Sequence, residues 1–325
     1  SQQPHLPYFT TPFKLLLHRT MPLALSISSH VVHGYVGNRA IVFPLQFCGW
    51  DVDVLNTTNY SNHPGYGTFK GSKSTSDQVE DIFEGLHEIL DLATYDVIIT
   101  GYTPSEKVLA TVKLHVQQII LNAGENTKKL LWVVDPALGD NGKLYVLETV
   151  VPVYRDILTT GLVSLTTPNQ FEFEVLSGVQ IHSLADVRIA VEKFTSLYPE
   201  VPYFVISSFS ATDGVSEEAM LYTLGYRRGE IFYFRLNEIE CRFNGCGDLF
   251  AGLLTAAFHA NGGDLSPLVL RKVQHKLHRI LVHSLECERE LTTAPVEVVK
   301  DLRIISLRAV LLEDEEVSEE VKYWR

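Results

Sequence analysis

Cysteine is sparse in this chain. Cys48, Cys241, Cys246 and Cys287 are the four present among 325 residues, and they form no Cys-x-x-Cys pair and no disulfide-dense pattern. That spacing argues against a stapled secreted scaffold and for a reducing compartment, with the cytoplasm expected first and the nucleus second. Positive charge is also short. Lys and Arg number 27 against 39 Asp and Glu, and the net charge of −12 excludes a broad nucleic-acid footprint or docking on an anionic membrane. No run approaches the roughly 20 apolar residues of a membrane span. Neither an internal repeat nor a linker breaks the chain. What is there, 46% hydrophobic residues over this length, can bury a substantial core.

Three segments are expected. Residues 1–20 hold Lys14, Arg19, three prolines and no acidic residue, and read as a disordered extension. Two strong bases are few for a mitochondrial leader. Residues 21–310 read as one folded domain, and 311–325, with Glu313-Asp314-Glu315-Glu316, as a solvated acidic tail.

Within the domain, short apolar runs alternate with amphipathic stretches. Strands are expected at Leu23–Ile27, Trp50–Asn56, Val97–Thr100, Leu130–Val134, Leu162–Thr166 and Tyr203–Ile206. A hairpin is expected from Leu221–Gly225 and Ile231–Leu236. Helices are expected over Val36–Cys48, Asp77–Leu92 (with Asp77 and Glu80 as a capping box), Ser105–Leu121, Leu147–Leu158, Ser183–Leu197, Gly247–Ala260 and Ser266–Cys287. The stretch from Thr57 to Gly67 reads as a long polar binding loop, and Thr167 to Glu172 as a turn. Such alternation predicts an α/β fold with a largely parallel sheet covered on both faces. Polar motifs cluster where strands end, which is where open α/β sheets take ligands.

The most informative stretch is Asn244-Gly245-Cys246-Gly247-Asp248-Leu249-Phe250, running into an apolar helix. A Gly-x-Gly turn at a helix start offers backbone N–H groups and the positive end of the helix to an anion. A carboxylate beside that anion can take a proton from an attacking hydroxyl. Together these suggest phosphoryl transfer, which depends on positioned charge. Alone, the stretch is better read as an ordinary loop-to-helix junction with Gly for the turn and Asp248 as a cap. Cys246 at that helix start has two readings: a reactive thiol favoured as thiolate by the helix end, or an inert thiol packed under the turn. His30 and His33 lack a third ligand nearby, so a zinc site is not expected.

Several motifs occur in order: Ser26-Ile27-Ser28-Ser29-His30-Val31, Gly34-Tyr35-Val36-Gly37-Asn38, Phe43-Pro44-Leu45-Gln46, Ser61-Asn62-His63-Pro64-Gly65-Tyr66, Thr100-Gly101-Tyr102-Thr103, Asp135-Pro136, Thr167-Pro168-Asn169-Gln170-Phe171-Glu172 and Gly245-Cys246-Gly247-Asp248. From Met21 to Leu307 the chain resembles the pyridoxal kinases of the ribokinase-like superfamily. The resemblance implies a three-layer α/β/α fold and ATP-dependent phosphorylation of the 5′-hydroxymethyl group of pyridoxal, pyridoxine or pyridoxamine. It implies Asp248 as catalytic base, with Gly245, Cys246 and Gly247 as the anion hole. Ser29, Val36, Tyr60, Pro64 and Tyr102 would face the vitamin. Asp135, Asp140, Thr167, Asn169 and Ser207 would lie along the nucleotide, and Asp135 and Glu172 near Mg²⁺. A K⁺ requirement and a homodimer are implied by the family alone.

Three departures from the family pattern stand out. Cys246 replaces a hydroxyl residue, Pro64 stands where a Thr is common, and Asn244 replaces an apolar residue. Two other readings follow: a hydroxymethylpyrimidine kinase, or a vitamin- or nucleotide-binding protein whose catalysis has decayed. The retained Asp248, Gly245, Gly247 and Glu172 weigh against decay.

Overall fold

The computed structural model describes residues 21–124, 129–216, 218–314, 316, 317 and 320–324. The extension expected over 1–20 lies outside the described residues. The first half of the chain supplies β1 (Leu23–Val31), α1 (Asn38–Phe47), β2 (Asp51–Tyr60), β3 (Gly71–Lys73), α2 (Ser76–Ile89), β4 (Val97–Thr100), α3 (Glu106–Ala123), β5 (Leu131–Val134) and a small hairpin of β6 (Gly139–Asp140) with β7 (Lys143–Leu144). It continues through α4 (Val150–Leu158), β8 (Leu165–Thr166), α5 (Gln170–Ser177), α6 (Leu184–Leu197), β9 (Tyr203–Ala211), β10 (Met220–Arg227) and β11 (Glu230–Arg235). The last elements are β12 (Arg242–Phe243), α7 (Cys246–Ala260), α8 (Pro267–Glu290), β13 (Val298–Val299) and β14 (Lys322–Trp324).

Ten strands form one sheet in the order β14-β11-β10-β9-β8-β5-β4-β1-β2-β3. Its centre, from β2 to β9, is parallel, and antiparallel strands close both edges. The period-2 pattern of β1 explains the layering. Leu23, Leu25 and Ile27 pack into one apolar core with Val79 and Phe83 of α2, Val108 and Val112 of α3, and Phe173 of α5. Ala24, on the other face, joins Ile41 of α1, Leu249 and Leu254 of α7, and Leu270 and Val273 of α8. A strand buried on both faces between helices is what a parallel sheet requires. The expected three-layer α/β/α fold is therefore present.

Four local expectations are corrected. First, Thr57–Tyr60 is not loop: it extends β2 and pairs with β3, so the polar stretch begins only at Ser61. Second, the capping box of α2 is Thr75 with Gln78, because Thr75 is the residue with extended backbone that can accept from the Gln78 N–H. Third, the turn at 167–172 runs directly into α5, which carries a capping box (Asn169 with Glu172) at its start and Gly178 in the left-handed region (φ 76°) at its end. Fourth, the end of the chain is not a solvated tail throughout. Leu311 is buried, Glu313 pairs with Arg279, and β14 adds to the sheet edge with the Trp324 ring tilted against Tyr233 at 4.6 Å. The apolar and aromatic residues flanking the acidic run drive that docking.

Candidate active site

The parallel strands β1, β4, β5 and β8 end on one side of the sheet, and the loops that follow them converge there. β1 carries an irregularity between Ser28 and Ser29 that shifts its register against β2 and re-aims Ser29. Asn38, the first residue of α1, holds this bend in place. Its amide donates to the carbonyls of Ser28 (3.0 Å) and Leu55 (3.1 Å) and to Asn56 Oδ1 (2.8 Å), while its own oxygen accepts from the Ser26 hydroxyl (2.8 Å). Buried to 2% exposure with every polar group paired, Asn38 welds β1, β2 and α1 at the mouth of the crevice.

The Gly-x-Gly turn is shaped by two different demands. Gly245 is left-handed (φ 80°), and a Cβ there would come within 2.0 Å of the Tyr35 carbonyl oxygen. Gly247 is exposed, with nothing within 4 Å of where its Cβ would be. The turn is thus closed on the Tyr35 side, with open space beside the Gly247 Cα on the other. Helix α7 is held against α1 at the same end, where Gly252 lies so near Ile41 that a Cβ would meet its carbonyl oxygen at 2.8 Å.

Asp248 stands in the first turn of α7. Burial raises its carboxyl to about 6, opposed by the Gly37 backbone and by the charge of His63. The aspartate is therefore ionised at neutral pH yet more basic than an exposed one, as a general base requires.

On one side of Asp248 lies an acidic group. Asp135, at the end of β5, is buried and accepts from the Thr167 hydroxyl (3.0 Å). Its carboxyl is pushed well above the usual range by burial and then by Glu172 and Asp248. Glu172 is raised to about 7 by burial, partly offset by backbone donors. Its Oε1 accepts from the N–H groups of Leu138 (2.8 Å) and Gly139 (3.4 Å), and its Oε2 from that of Asn169 (2.9 Å). The Asn169 side chain in turn accepts from the Glu172 N–H (2.9 Å) and donates to the Gly139 carbonyl (2.8 Å). Asn169 and Glu172 therefore lock the β6 hairpin onto the start of α5. Asp140 sits at the tip of that hairpin, its carboxyl raised by partial loss of hydration and bonded to the Asn141 N–H at 2.7 Å. Ser207 adjoins this group on β9: its N–H donates to the Pro168 carbonyl (3.0 Å), and its own carbonyl accepts from Gln274 (2.6 Å).

On the other side are the residues expected to face a vitamin. Ser29 packs against Gly37, where a Cβ would fall 2.2 Å from its hydroxyl. Val36 borders Gly245. Tyr60 is buried, and Tyr102 is raised to about 12 by burial and by Tyr60 beside it. Pro64 is exposed and begins a single helical turn, Pro64–Tyr66. The next residue, Gly65, lies close enough to Asn244 that a Cβ would come 3.1 Å from its Oδ1. The polar loop and the Gly-x-Gly turn therefore meet.

Of the two readings of Cys246, the reactive thiol is overturned and the inert one holds. Cys246 is pushed up to about 12 by burial and by Asp140 and Asp248, and its Sγ points to the Phe243 carbonyl at 3.6 Å. Two carboxylates and lost hydration outweigh the favourable helix end. Sequence reasoning also gave no role to Asn38, to Tyr145 (close enough to Asp140, Glu172 and Cys246 for their charges to raise its hydroxyl after burial does) or to Asp301, which accepts from Tyr66. Asn38 stood inside a quoted motif, whereas Asp301 had no local signal.

Among the described residues, no group of three or more His, Cys, Asp and Glu side chains converges as a self-sufficient metal cage. Buried carboxyls that raise one another nonetheless make a place where a hard cation relieves repulsion. A Mg²⁺ that keeps several waters and takes further oxygens from phosphates fits such sparse donors. No helix among the described residues is long and apolar enough to cross a membrane.

No protein-family model matches the chain. Human pyridoxal kinase is 35% identical over 278 residues, covering 82% of this chain and 86% of the human one. Sheep pyridoxal kinase (Ovis aries) is 34% identical over 278 residues, with 82% and 86% covered. Pyridoxal kinase from Leishmania donovani in complex with ADP and pyridoxamine superposes with a TM-score of 0.80 at 32% identity, over 93% of this chain and 99% of that one.

Proposed function

The chain belongs to the pyridoxal kinase family, and from that premise we propose that it transfers the γ-phosphoryl group of ATP to the 5′-hydroxymethyl group of pyridoxal, pyridoxine or pyridoxamine. One observation carries the catalytic part. Asp248 is a carboxylate raised to about 6 in the first turn of α7, next to Gly247, which has open space beside its Cα. In the proposal Asp248 accepts the proton of the attacking hydroxyl as the oxygen bonds to phosphorus and the bond to the leaving ADP oxygen breaks. The N–H groups around Gly245, Cys246 and Gly247 hold the equatorial oxygens of the transferring group. Ser29 orients the pyridine ring, Val36, Tyr60 and Tyr102 wall it, and Pro64 closes the loop side.

Asp135, Asp140, Thr167, Asn169 and Ser207 are assigned to the nucleotide side. Mg²⁺ would neutralise charge on the phosphates there, with Asp135 near it. Because both oxygens of Glu172 are engaged by backbone donors, its part is to reach the ion through water and to fix the hairpin carrying Asp140. A K⁺ requirement and a homodimer belong to the same proposal on family likeness only. So does a single domain that takes in β14 at the sheet edge, in the cytoplasm.

ADP release, followed with pyridoxal, pyridoxine, pyridoxamine and hydroxymethylpyrimidine in turn, tests the proposal. Turnover with the three vitamers well above that with the pyrimidine supports it. ADP release with the pyrimidine alone, or with none of the four, contradicts it.

A further inference from the structure

The turn bearing Pro64 is held in place by residues from the far end of the chain. The Tyr66 hydroxyl donates to Asp301 Oδ2, 235 residues away in sequence. His63, itself buried, places Nε2 2.9 Å from the Lys300 carbonyl oxygen and 3.7 Å from Asp301 Oδ1. Lys300 sets its ammonium 4.9 Å from the centre of the Tyr66 ring. The same carboxylate fills the space beneath Gly34, where a Cβ would come within 2.3 Å of Oδ1, and lies 3.5 Å from His33. One side chain thus braces both loops of the vitamin side.

That brace is also tied to the anion-holding turn. β13, which ends one residue before Lys300, pairs with β12, and the Asn244 N–H donates to the Val299 carbonyl at 3.2 Å. Asp301 therefore hangs from the strand that fixes the approach to Gly245. Its side chain is only 15% exposed, so its hydrogen bond to Tyr66 is shielded from competing water. Burial would raise its carboxyl, but the contacts with His63, Tyr66 and His33 bring it below the ordinary value, while Tyr66 is raised to about 12 by burial and by Asp301. The pair is held as carboxylate and neutral phenol.

We propose that Asp301 is a positioning residue for the vitamin side of the site: through Tyr66 and His63 it fixes the turn that carries Pro64 and sets that turn's distance from Asp248. The inference rests on the proposed vitamin kinase activity. It touches no nucleotide residue, so it predicts a split between the two substrates.

Asp301→Asn and Tyr66→Phe are each expected to raise the KM for pyridoxal about tenfold, the effect of losing a shielded hydrogen bond to a charged group. The KM for ATP should stay within about twofold, and the double variant should add little, since both changes act on the same bond, Asn by removing the acceptor's charge and Phe by removing the donor. An unchanged KM for pyridoxal in both variants overturns the proposal. So does an equal loss in both KM values and kcat with a lowered Tm, which is the mark of a purely structural residue. If wild-type chain releases no ADP with pyridoxal, the activity itself fails. The brace is then judged by hydrogen exchange of residues 61–67: faster exchange in Asp301→Asn supports positioning, and exchange equal to wild type overturns it.

Discussion

Gly245 stands against the carbonyl oxygen of Tyr35 at a separation that leaves no room for a methyl group, since a Cβ would lie 2.0 Å from that oxygen. The loop after β1 and the turn before α7 are therefore one packed unit. Gly245→Ala should push them apart and also strain a left-handed backbone position. Turnover is expected to fall by about two orders of magnitude, because misplacing reacting groups by about 1 Å costs that much. Gly247→Ala, with open space around it, should leave Tm unchanged. Equal Tm losses in the two variants would contradict this asymmetry.

The raised carboxyl of Asp248 predicts a pH profile. A base must be deprotonated to work, so kcat/KM should fall as pH drops through about 6, rather than near 4 as for an exposed aspartate. Burial moves the limb up, and His63, when charged, moves it back down. His63→Asn should therefore shift the acid limb to higher pH. A limb that stays near 4 in wild type would mean that Asp248 is well solvated or is not the base.

Much of this architecture was legible in the sequence, and the reason is range. Val97–Thr100 was located to the residue because a fully buried parallel strand is a short apolar run with sharp polar ends. Helix α5 is masked in the sequence although Asn169, Glu172 and Gly178 mark its two ends, since the polar 167–172 stretch reads first as a turn. The carboxylate cluster could be listed but not arranged: nothing local says that Glu172 spends its oxygens on Leu138, Gly139 and Asn169. The choice between a reactive and an inert Cys246 is not legible for a related reason. Helix polarity is visible in sequence, but the neighbouring Asp140 and the depth of burial are not. Asp301 meets Tyr66 across 235 residues, and no periodicity or motif encodes that meeting.

Cys246 should be slow to react. With its thiol pushed up to about 12, almost no thiolate is present at neutral pH, so alkylation by iodoacetamide should proceed first at the other cysteines. Peptide mapping after limited alkylation gives the order. Cys246→Thr should keep or raise turnover, because a hydroxyl is a better donor than a thiol and the backbone groups are unchanged. Cys246 labelled ahead of Cys48, Cys241 and Cys287 would contradict the assignment.

Pro64 offers a gain-of-contact test. It is exposed at the start of its turn, where φ near −65° suits proline but does not require it. Pro64→Thr should lower the KM for pyridoxal two- to tenfold, corresponding to one hydrogen bond of about 0.5–1.5 kcal/mol, with the KM for ATP unchanged. If no vitamer shows a lower KM, the loop makes its contact elsewhere.

The central claim is that Asp248 deprotonates the hydroxyl of a B6 vitamer while ATP supplies the phosphoryl group. Its most direct test follows pyridoxal 5′-phosphate and ADP together, by mass spectrometry, in wild type and Asp248→Asn. In wild type the two products should appear in equal amounts. The variant, still binding both substrates, should form them at least about a hundredfold more slowly, the usual worth of general-base assistance. ADP without pyridoxal 5′-phosphate in wild type, or a variant within a few-fold of wild type, would contradict the account.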